Sequence, residues 1–190
     1  MKILLLDNYD SFTYNIAHYL RELTGKDIPV IRNDQITLPE VDAYDAIVLS
    51  PGPGLPADAG IMPELIRKYA PVKRILGICL GMQAIGEAFG GTLLNLPSVF
   101  HGVSTNATIL VPDEILFKGL PSKIDVGRYH SWVVDETRLP ADLEITAVDD
   151  TGRIMALRHK RFDVRGVQFH PESVLTPSGK DMLKNWLNMP

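Results

Sequence analysis

The chain carries one cysteine, and its neighbours bear on what that thiol can do. Cys79 lies in Gly77-Ile78-Cys79-Leu80-Gly81, a G-x-C-x-G pattern. This is the thiol analogue of the G-x-S-x-G turn that exposes a serine nucleophile between a strand and a helix. Residues 74–78 read as a buried strand and residues 80–89 as a helix, ended by Gly90-Gly91. A tight turn at that junction forces the nucleophile into an unfavourable backbone geometry and pushes its side chain out at the strand's carboxyl end. Flanking glycines let backbone approach without a Cβ clash. The free N–H groups of the helix start favour negative charge on sulfur. Two other readings stand beside this one. A lone cysteine is often a small buried apolar side chain. Gly-rich strand-to-helix turns also bind phosphate, although here Leu80 and Met82 occupy the places where a lysine and a hydroxyl would serve.

A thiol nucleophile needs a histidine to move protons, and that histidine needs an orienting partner. There are five histidines. His18 falls in a helical segment and reads as structural or exposed. His159, in Arg158-His159-Lys160-Arg161, reads as part of a solvated basic turn. His170 stands in Gln168-Phe169-His170-Pro171-Glu172, just after an apolar strand. The Glu172 carboxylate is two residues away, and Pro171 restricts the backbone between them. A carboxylate on one imidazole nitrogen fixes the tautomer and stabilises the charged ring. The bland alternative is a satisfied histidine in a turn with Glu172 on the surface.

The elements that would position these residues alternate in the first half. Residues 2–6, 28–32, 45–49 and 74–78 read as strands. Residues 12–23, 62–69 and 80–89 read as helices, the first with Ile16, Tyr19, Leu20 and Leu23 on one face. Asp10 or Ser11 is placed to cap that helix and Gly25 to end it. Such alternation predicts an α/β fold with a mainly parallel central sheet flanked by helices. In the second half, residues 103–111, 124–128, 144–148, 154–158 and 164–169 read as strands with little helix between them. They predict a mixed or antiparallel extension of the sheet. A last helix is expected to end near Leu187, with Thr176 as its cap and Pro177 at its first position.

Composition narrows the function classes. At 190 residues the chain has the size of one domain, spanning residues 1–190. Hydrophobic residues at 45% suffice for a buried core. The net charge of -4 offers no basic surface for nucleic acid. A single cysteine excludes an internal disulfide and a multi-cysteine zinc site, and no other metal site is evident. The first apolar run is too short for a signal peptide, and no stretch approaches the ~20 residues that span a bilayer. The expectation is a soluble, cytoplasmic protein.

Together the motifs resemble the class I (triad) glutamine amidotransferases in content and order. The residues that carry this resemblance are Pro51-Gly52-Pro53-Gly54, Gly77-Ile78-Cys79-Leu80-Gly81-Met82-Gln83 and His170-Pro171-Glu172-Ser173. Asp7-Asn8-Tyr9-Asp10-Ser11-Phe12-Thr13-Tyr14-Asn15 and Arg128-Tyr129-His130-Ser131 are similar to the branch serving anthranilate or aminodeoxychorismate (p-aminobenzoate) synthesis. The resemblance implies a flavodoxin-like class I glutaminase fold and a Cys79–His170–Glu172 triad that hydrolyses glutamine through a glutamyl thioester. It implies an ammonia acceptor, a chorismate-binding synthase subunit, and no cofactor on this chain. It places the Pro51–Gly54 turn beside the cysteine. There the oxyanion would meet the N–H of Leu80 and a second N–H. Pro53 has none to give, which leaves Gly52 or Gly54, and Gly52 is the family's counterpart. Gly52, Pro53, Gly54 and the Gln83 side chain are expected at the glutamine, with the main chain of Ser131 and Trp132. Trp132 is larger than the apolar residue many relatives carry there. His101, in Phe100-His101-Gly102, is expected to be structural or partner-facing. Residues 7–15 and the surface near His101 are expected at the synthase interface. Competing readings are a γ-glutamyl or peptide hydrolase with the same triad, and a flavodoxin-like binding module without catalysis.

Overall fold

Short apolar runs pair in parallel at the centre of the molecule, and the Pro51–Gly54 turn, Cys79 and the His170 segment all follow their carboxyl ends. The computed structural model describes residues 1–188. In chain order its strands are β1 (Ile3–Asp7), β2 (Val30–Arg32), β3 (Ala46–Leu49), β4 (Arg74–Ile78), β5 (Leu93–Asn95) and β6 (Val103–Ile109). They continue with β7 (Lys123–Arg128), β8 (Trp132–Val134), β9 (Leu143–Asp149), β10 (Ile154–His159) and β11 (Val164–Val167). The main sheet has the order β2-β1-β3-β4-β11-β10-β9-β6-β7. The pairs from β2 to β11 are parallel. Those from β11 to β7 are antiparallel. The α/β reading, with a parallel half and an antiparallel extension, therefore holds. β5 and β8 form a separate two-stranded sheet.

The parallel strands are apolar on both faces because helices cover both. Ile3, Leu5, Val48 and Ile78 face one core, with Ile16 and Leu20 of α1 (Thr13–Thr24) and Trp186 of α5 (Gly179–Leu187). Leu4, Leu6, Ile47 and Leu49 face the other, with Leu65 and Ile66 of α3 (Met62–Tyr69) and Ile85 of α4 (Leu80–Ala88). The period-2 alternation of each strand feeds the two cores in turn. A short helix, α2 (Leu38–Val41), escaped the sequence reading. Its signal was present: Thr37 and Glu40 form a reciprocal capping box around Pro39.

Three local expectations are corrected. α1 has no side-chain N-cap, and Asp10 instead accepts the Phe12 N–H at 2.7 Å. α5 starts at Gly179 rather than at Pro177. The Thr176 hydroxyl does not cap it, because that oxygen donates to the His170 carbonyl and accepts the Gly127 N–H. His159 is buried rather than solvated. β10 runs on through it, the strand alternation turns it inward, and its Nδ1 accepts the N–H groups of Arg161 and Phe162.

The glycines around Cys79 are required by contact. A Cβ on Gly77 would lie 2.5 Å from the Gly81 backbone, and one on Gly81 would lie 2.6 Å from the Leu49 carbonyl oxygen. Helix α4 is thereby pressed onto β3 and β4. Gly81→Ala should lose about 1–3 kcal/mol by overpacking. Urea unfolding would register this as a lower midpoint at unchanged slope, and an unchanged midpoint would mean the turn relaxes freely.

Candidate active site

The register of two neighbouring strands brings the thiol and the histidine segment together. β4 and β11 are parallel, with Ile78 opposite Val167. The next residues, Cys79 and Gln168, leave the sheet side by side, and the Cys79 N–H donates to the Val167 carbonyl at 2.8 Å. Cys79 has φ 53° and ψ −104°. For a non-glycine residue that conformation costs about 1–3 kcal/mol and is held by its surroundings. Gly77 and Gly81 supply them. The sulfur opens on a cavity of about 290 Å³ lined by Gly52, Gly54, Gln83, Ser131 and Trp132.

His170 follows β11 by three residues. Its Nδ1 is 2.6 Å from Glu172 Oε1, and both side chains are almost fully buried. Phe12 meets the ring edge-on at 5.3 Å, and Tyr129 packs on it at 4.8 Å. Water is thus kept from the ion pair, which strengthens it. Nε2 is also buried, and among the described residues it has no hydrogen-bond partner of good geometry; its electrostatic neighbour is Cys79. Burial opposes charge on the ring, yet Cys79 and Glu172 outweigh it and raise the His170 pKa to about 10. The main chain is anchored as well. The His170 N–H donates to the Gly127 carbonyl at 3.0 Å, and Tyr129 and Ser173 share a hydrogen bond through their hydroxyl oxygens.

The Pro51–Gly54 turn is fixed by a residue whose role the sequence did not reveal. Asn8 is buried, and its side-chain N–H donates to the Ser50 carbonyl at 2.8 Å. Its backbone N–H donates to Ser50 Oγ, and its Oδ1 accepts from Asn33. A Cβ on Gly52 would lie 2.5 Å from the Asn8 carbonyl and 2.9 Å from the Leu80 side chain. Gly52 therefore sits wedged between the β1 loop and the start of α4. Among the described residues no acceptor takes the N–H of Gly52 or Gly54. Leu80 is the first residue of α4, where a backbone N–H lacks a helical partner. Pro53 does not line the thiol cavity. It borders a neighbouring one with Asn8, Asp34 and Asp58.

Gln83 lies beside the thiol, but its amide nitrogen is committed. It donates to the Trp132 carbonyl at 2.9 Å and to Gln168 Oε1 at 3.2 Å. Its Oε1 is the atom left for a ligand. Gln168 in turn donates to the Cys79 sulfur at 3.5 Å. Nothing in Gln168's composition flags it; its signal is its place opposite Cys79 in the strand register. The Ser131 carbonyl accepts the Leu96 N–H, so these main-chain oxygens are occupied and N–H groups remain to meet a substrate. Trp132 is half-buried at the rim. His101 is exposed and stands edge-on to Tyr129 at 5.8 Å, outside the cavity. His18 is exposed on α1, where it faces Glu22.

A buried thiol at a strained strand-to-helix turn, an imidazole with its carboxylate, and a glycine turn with free N–H groups form an arrangement suited to acyl transfer. The comparisons agree with it. Residues 4–189 match the family model "Glutamine amidotransferase class-I", and the chain belongs to that family. It is 47% identical to the aminodeoxychorismate synthase component 2 of Escherichia coli, over 98% of this chain and 99% of that protein. It is also 47% identical to the anthranilate synthase component 2 of Lactococcus lactis, over 98% of this chain and 93% of that one. In Thermotoga maritima the similar stretch, 46% identical, is part of a bifunctional protein, of which this chain spans 32%. A solved structure from Thermoplasma acidophilum, described as a GMP synthase subunit, superposes with a TM-score of 0.87 at 31% identity, covering 98% of this chain and 92% of that one. Among the described residues no helix is long and apolar enough to cross a membrane.

His130 gives this site a measurable pH signature. Burial and the Arg128 charge, against a bond to the Trp132 carbonyl, lower its pKa to about 3. The unfolded chain binds a proton at this residue below about pH 6.5, and the folded chain does not until about 3. Stability therefore falls as pH drops through that window, by about 1.4 kcal/mol per unit for one proton. His130→Leu should remove this slope, so that its stability relative to the parent rises between pH 6 and pH 4. Parallel urea titrations check this, and parallel curves would show the ring titrating normally.

Proposed function

We propose that this chain is a glutaminase subunit. It hydrolyses glutamine at Cys79 and passes the ammonia to a subunit that aminates chorismate. The observation that supports it best is the Cys79–His170–Glu172 arrangement at the ends of two adjacent parallel strands. In the proposed reaction the Cys79 sulfur attacks the side-chain amide carbon of glutamine. The oxyanion is met by the N–H groups of Leu80 and Gly52. His170, charged at neutral pH, gives its proton to the leaving ammonia, and a glutamyl thioester remains. Water then attacks the thioester, giving up a proton to His170, and glutamate leaves as the sulfur is restored. Glu172 holds the ring throughout. Gln83 Oε1 and the main chain at Ser131 and Trp132 meet the α-amino and α-carboxylate groups of the substrate.

The acceptor is proposed from the relatives, whose names divide between anthranilate and aminodeoxychorismate synthases at equal identity. We take anthranilate formation first and aminodeoxychorismate as the alternative, since the chemistry on this chain is the same for both. The synthase would dock on the exposed part of the 7–15 segment, at Tyr9 and at Tyr14 in the first turn of α1, and near His101. Asp7 and Asn8 of that segment are buried and serve the fold instead. A working thiol needs a reducing compartment, which suits the cytoplasm.

Cys79→Ser should abolish glutamine-dependent product formation by the complex while leaving ammonium-driven formation intact. Loss of both would make Cys79 structural. Co-purification with each candidate synthase subunit, then product identification from chorismate and glutamine, decides the branch. Glu172→Gln should cut kcat by about 10²-fold or more. Because Glu172 raises the His170 pKa, the alkaline limb of the kcat profile should also move to lower pH. An unmoved limb would separate Glu172 from that proton.

A further inference from the structure

A continuous hydrogen-bond chain runs from a buried ion pair, Arg128 and Asp149, to the thiol; the ion pair lies outside the cavity, while His130, Trp132, Gln83 and Cys79 line it. Arg128 Nη1 donates to Asp149 Oδ2 at 2.8 Å, with both side chains almost fully buried. Arg128 Nε donates to His130 Nε2 at 3.1 Å, and His130 Nδ1 lies 3.0 Å from the Trp132 carbonyl oxygen. A guanidinium has no acceptor, so His130 Nε2 must present its lone pair and Nδ1 must carry the hydrogen. The tautomer is thereby set by Arg128. The Trp132 oxygen receives two donors, His130 Nδ1 and Gln83 Nε2. The second hydrogen of Gln83 Nε2 goes to Gln168 Oε1, which forces Gln168 Nε2 to face the sulfur. Every donor along the line has one permitted direction, and the final N–H ends on Cys79.

We infer that His130, clamped by Arg128 and Asp149, is a positioning residue for glutamine hydrolysis. It acts through the Trp132 carbonyl and the Gln83–Gln168 pair on the substrate wall and the thiol. The inference rests on the glutaminase reading above. Stability alone does not call for this construction. A buried ion pair contributes little net stability, and apolar side chains of similar volume commonly do as well. The assembly is closed over rather than open to water. The Phe100 ring covers the Arg128 guanidinium at 3.7 Å and stacks on His130 at 5.5 Å. The loop bearing Phe100 is tied to the same segment by Leu96 N–H to Ser131 O, Phe100 N–H to His130 O and Gly102 N–H to Arg128 O. The 128–132 segment is thus held on both sides, and the clamp sets where its peptide groups face the cavity.

Two near-isosteric variants separate positioning from folding. In His130→Asn the amide N–H takes the place of Nδ1–H and still reaches the Trp132 oxygen. In His130→Gln the amide lies near Nε2, keeps Arg128 company and leaves that oxygen one donor short. With the synthase complex, His130→Gln and His130→Leu should raise the glutamine KM about tenfold, the size of one lost hydrogen bond, with a smaller fall in kcat. His130→Asn should stay near the parent. Alkylation of the chain by iodoacetamide reads Cys79 alone, since no other cysteine exists, and should slow in the Gln and Leu variants but not in the Asn variant. Equal KM and alkylation rates in the Asn and Gln variants would overturn the inference, as would parent values in both. Cys79→Ser is run alongside. If it still turns over glutamine, the glutaminase reading itself fails. If it is inactive while all His130 variants behave as the parent, only the positioning role fails.

Discussion

The parallel pairing of β4 with β11 is the constraint on which the rest of the site depends. Its register puts Val167 opposite Ile78, so Cys79 and Gln168 emerge together and His170 follows two residues later. A slip of one residue would turn Gln168 to the other face of the sheet and carry His170 out of line with the sulfur. The register is protected by burial on both faces, where Ile75, Ile78, Val164 and Val167 are enclosed by helices. Side-chain packing far from the cavity thus sets distances within it.

Around that pairing the protein arranges charge in a dry setting. His170 and His130 are both buried imidazoles close to the cavity, yet their pKa values lie far apart, near 10 and near 3. Burial works against charge in each. What separates them is the neighbour: a carboxylate and a thiol for His170, a guanidinium for His130. One ring is built to hold a proton and the other to stay neutral, and the partners that decide this come from different elements.

Much of this was legible in the sequence, for physical reasons. The strand 74–78 and the helix 62–69 coincide with β4 and α3, because one is a short apolar run and the other an apolar face at helical spacing with proline in its first turn. The His-Pro-Glu and G-x-C-x-G segments announce their chemistry because the interacting residues are sequence neighbours. What stayed hidden depends on pairing between distant segments. Asn8 looks like a surface loop residue until Ser50 is beside it. His159 sits among three basic residues and still turns inward, since strand alternation overrides local charge. Thr176 has the look of a helix cap, but the Gly127 N–H and the His170 carbonyl claim its hydroxyl first. The Arg128–Asp149 contact joins strands that are not even adjacent in the sheet.

The bond from the His170 N–H to the Gly127 carbonyl carries a mechanical consequence. β7 is the outermost strand of the antiparallel half, four places from β11, yet its end touches the chain leaving β11. The sheet bends back far enough to meet itself there, like a barrel left open along one side and stapled at its rim. The staple passes through the backbone of the histidine that faces the thiol. Any motion that unrolled this half of the sheet would have to pull His170 off its station, so the curvature of the sheet and the alignment of the reacting groups stand or fall together.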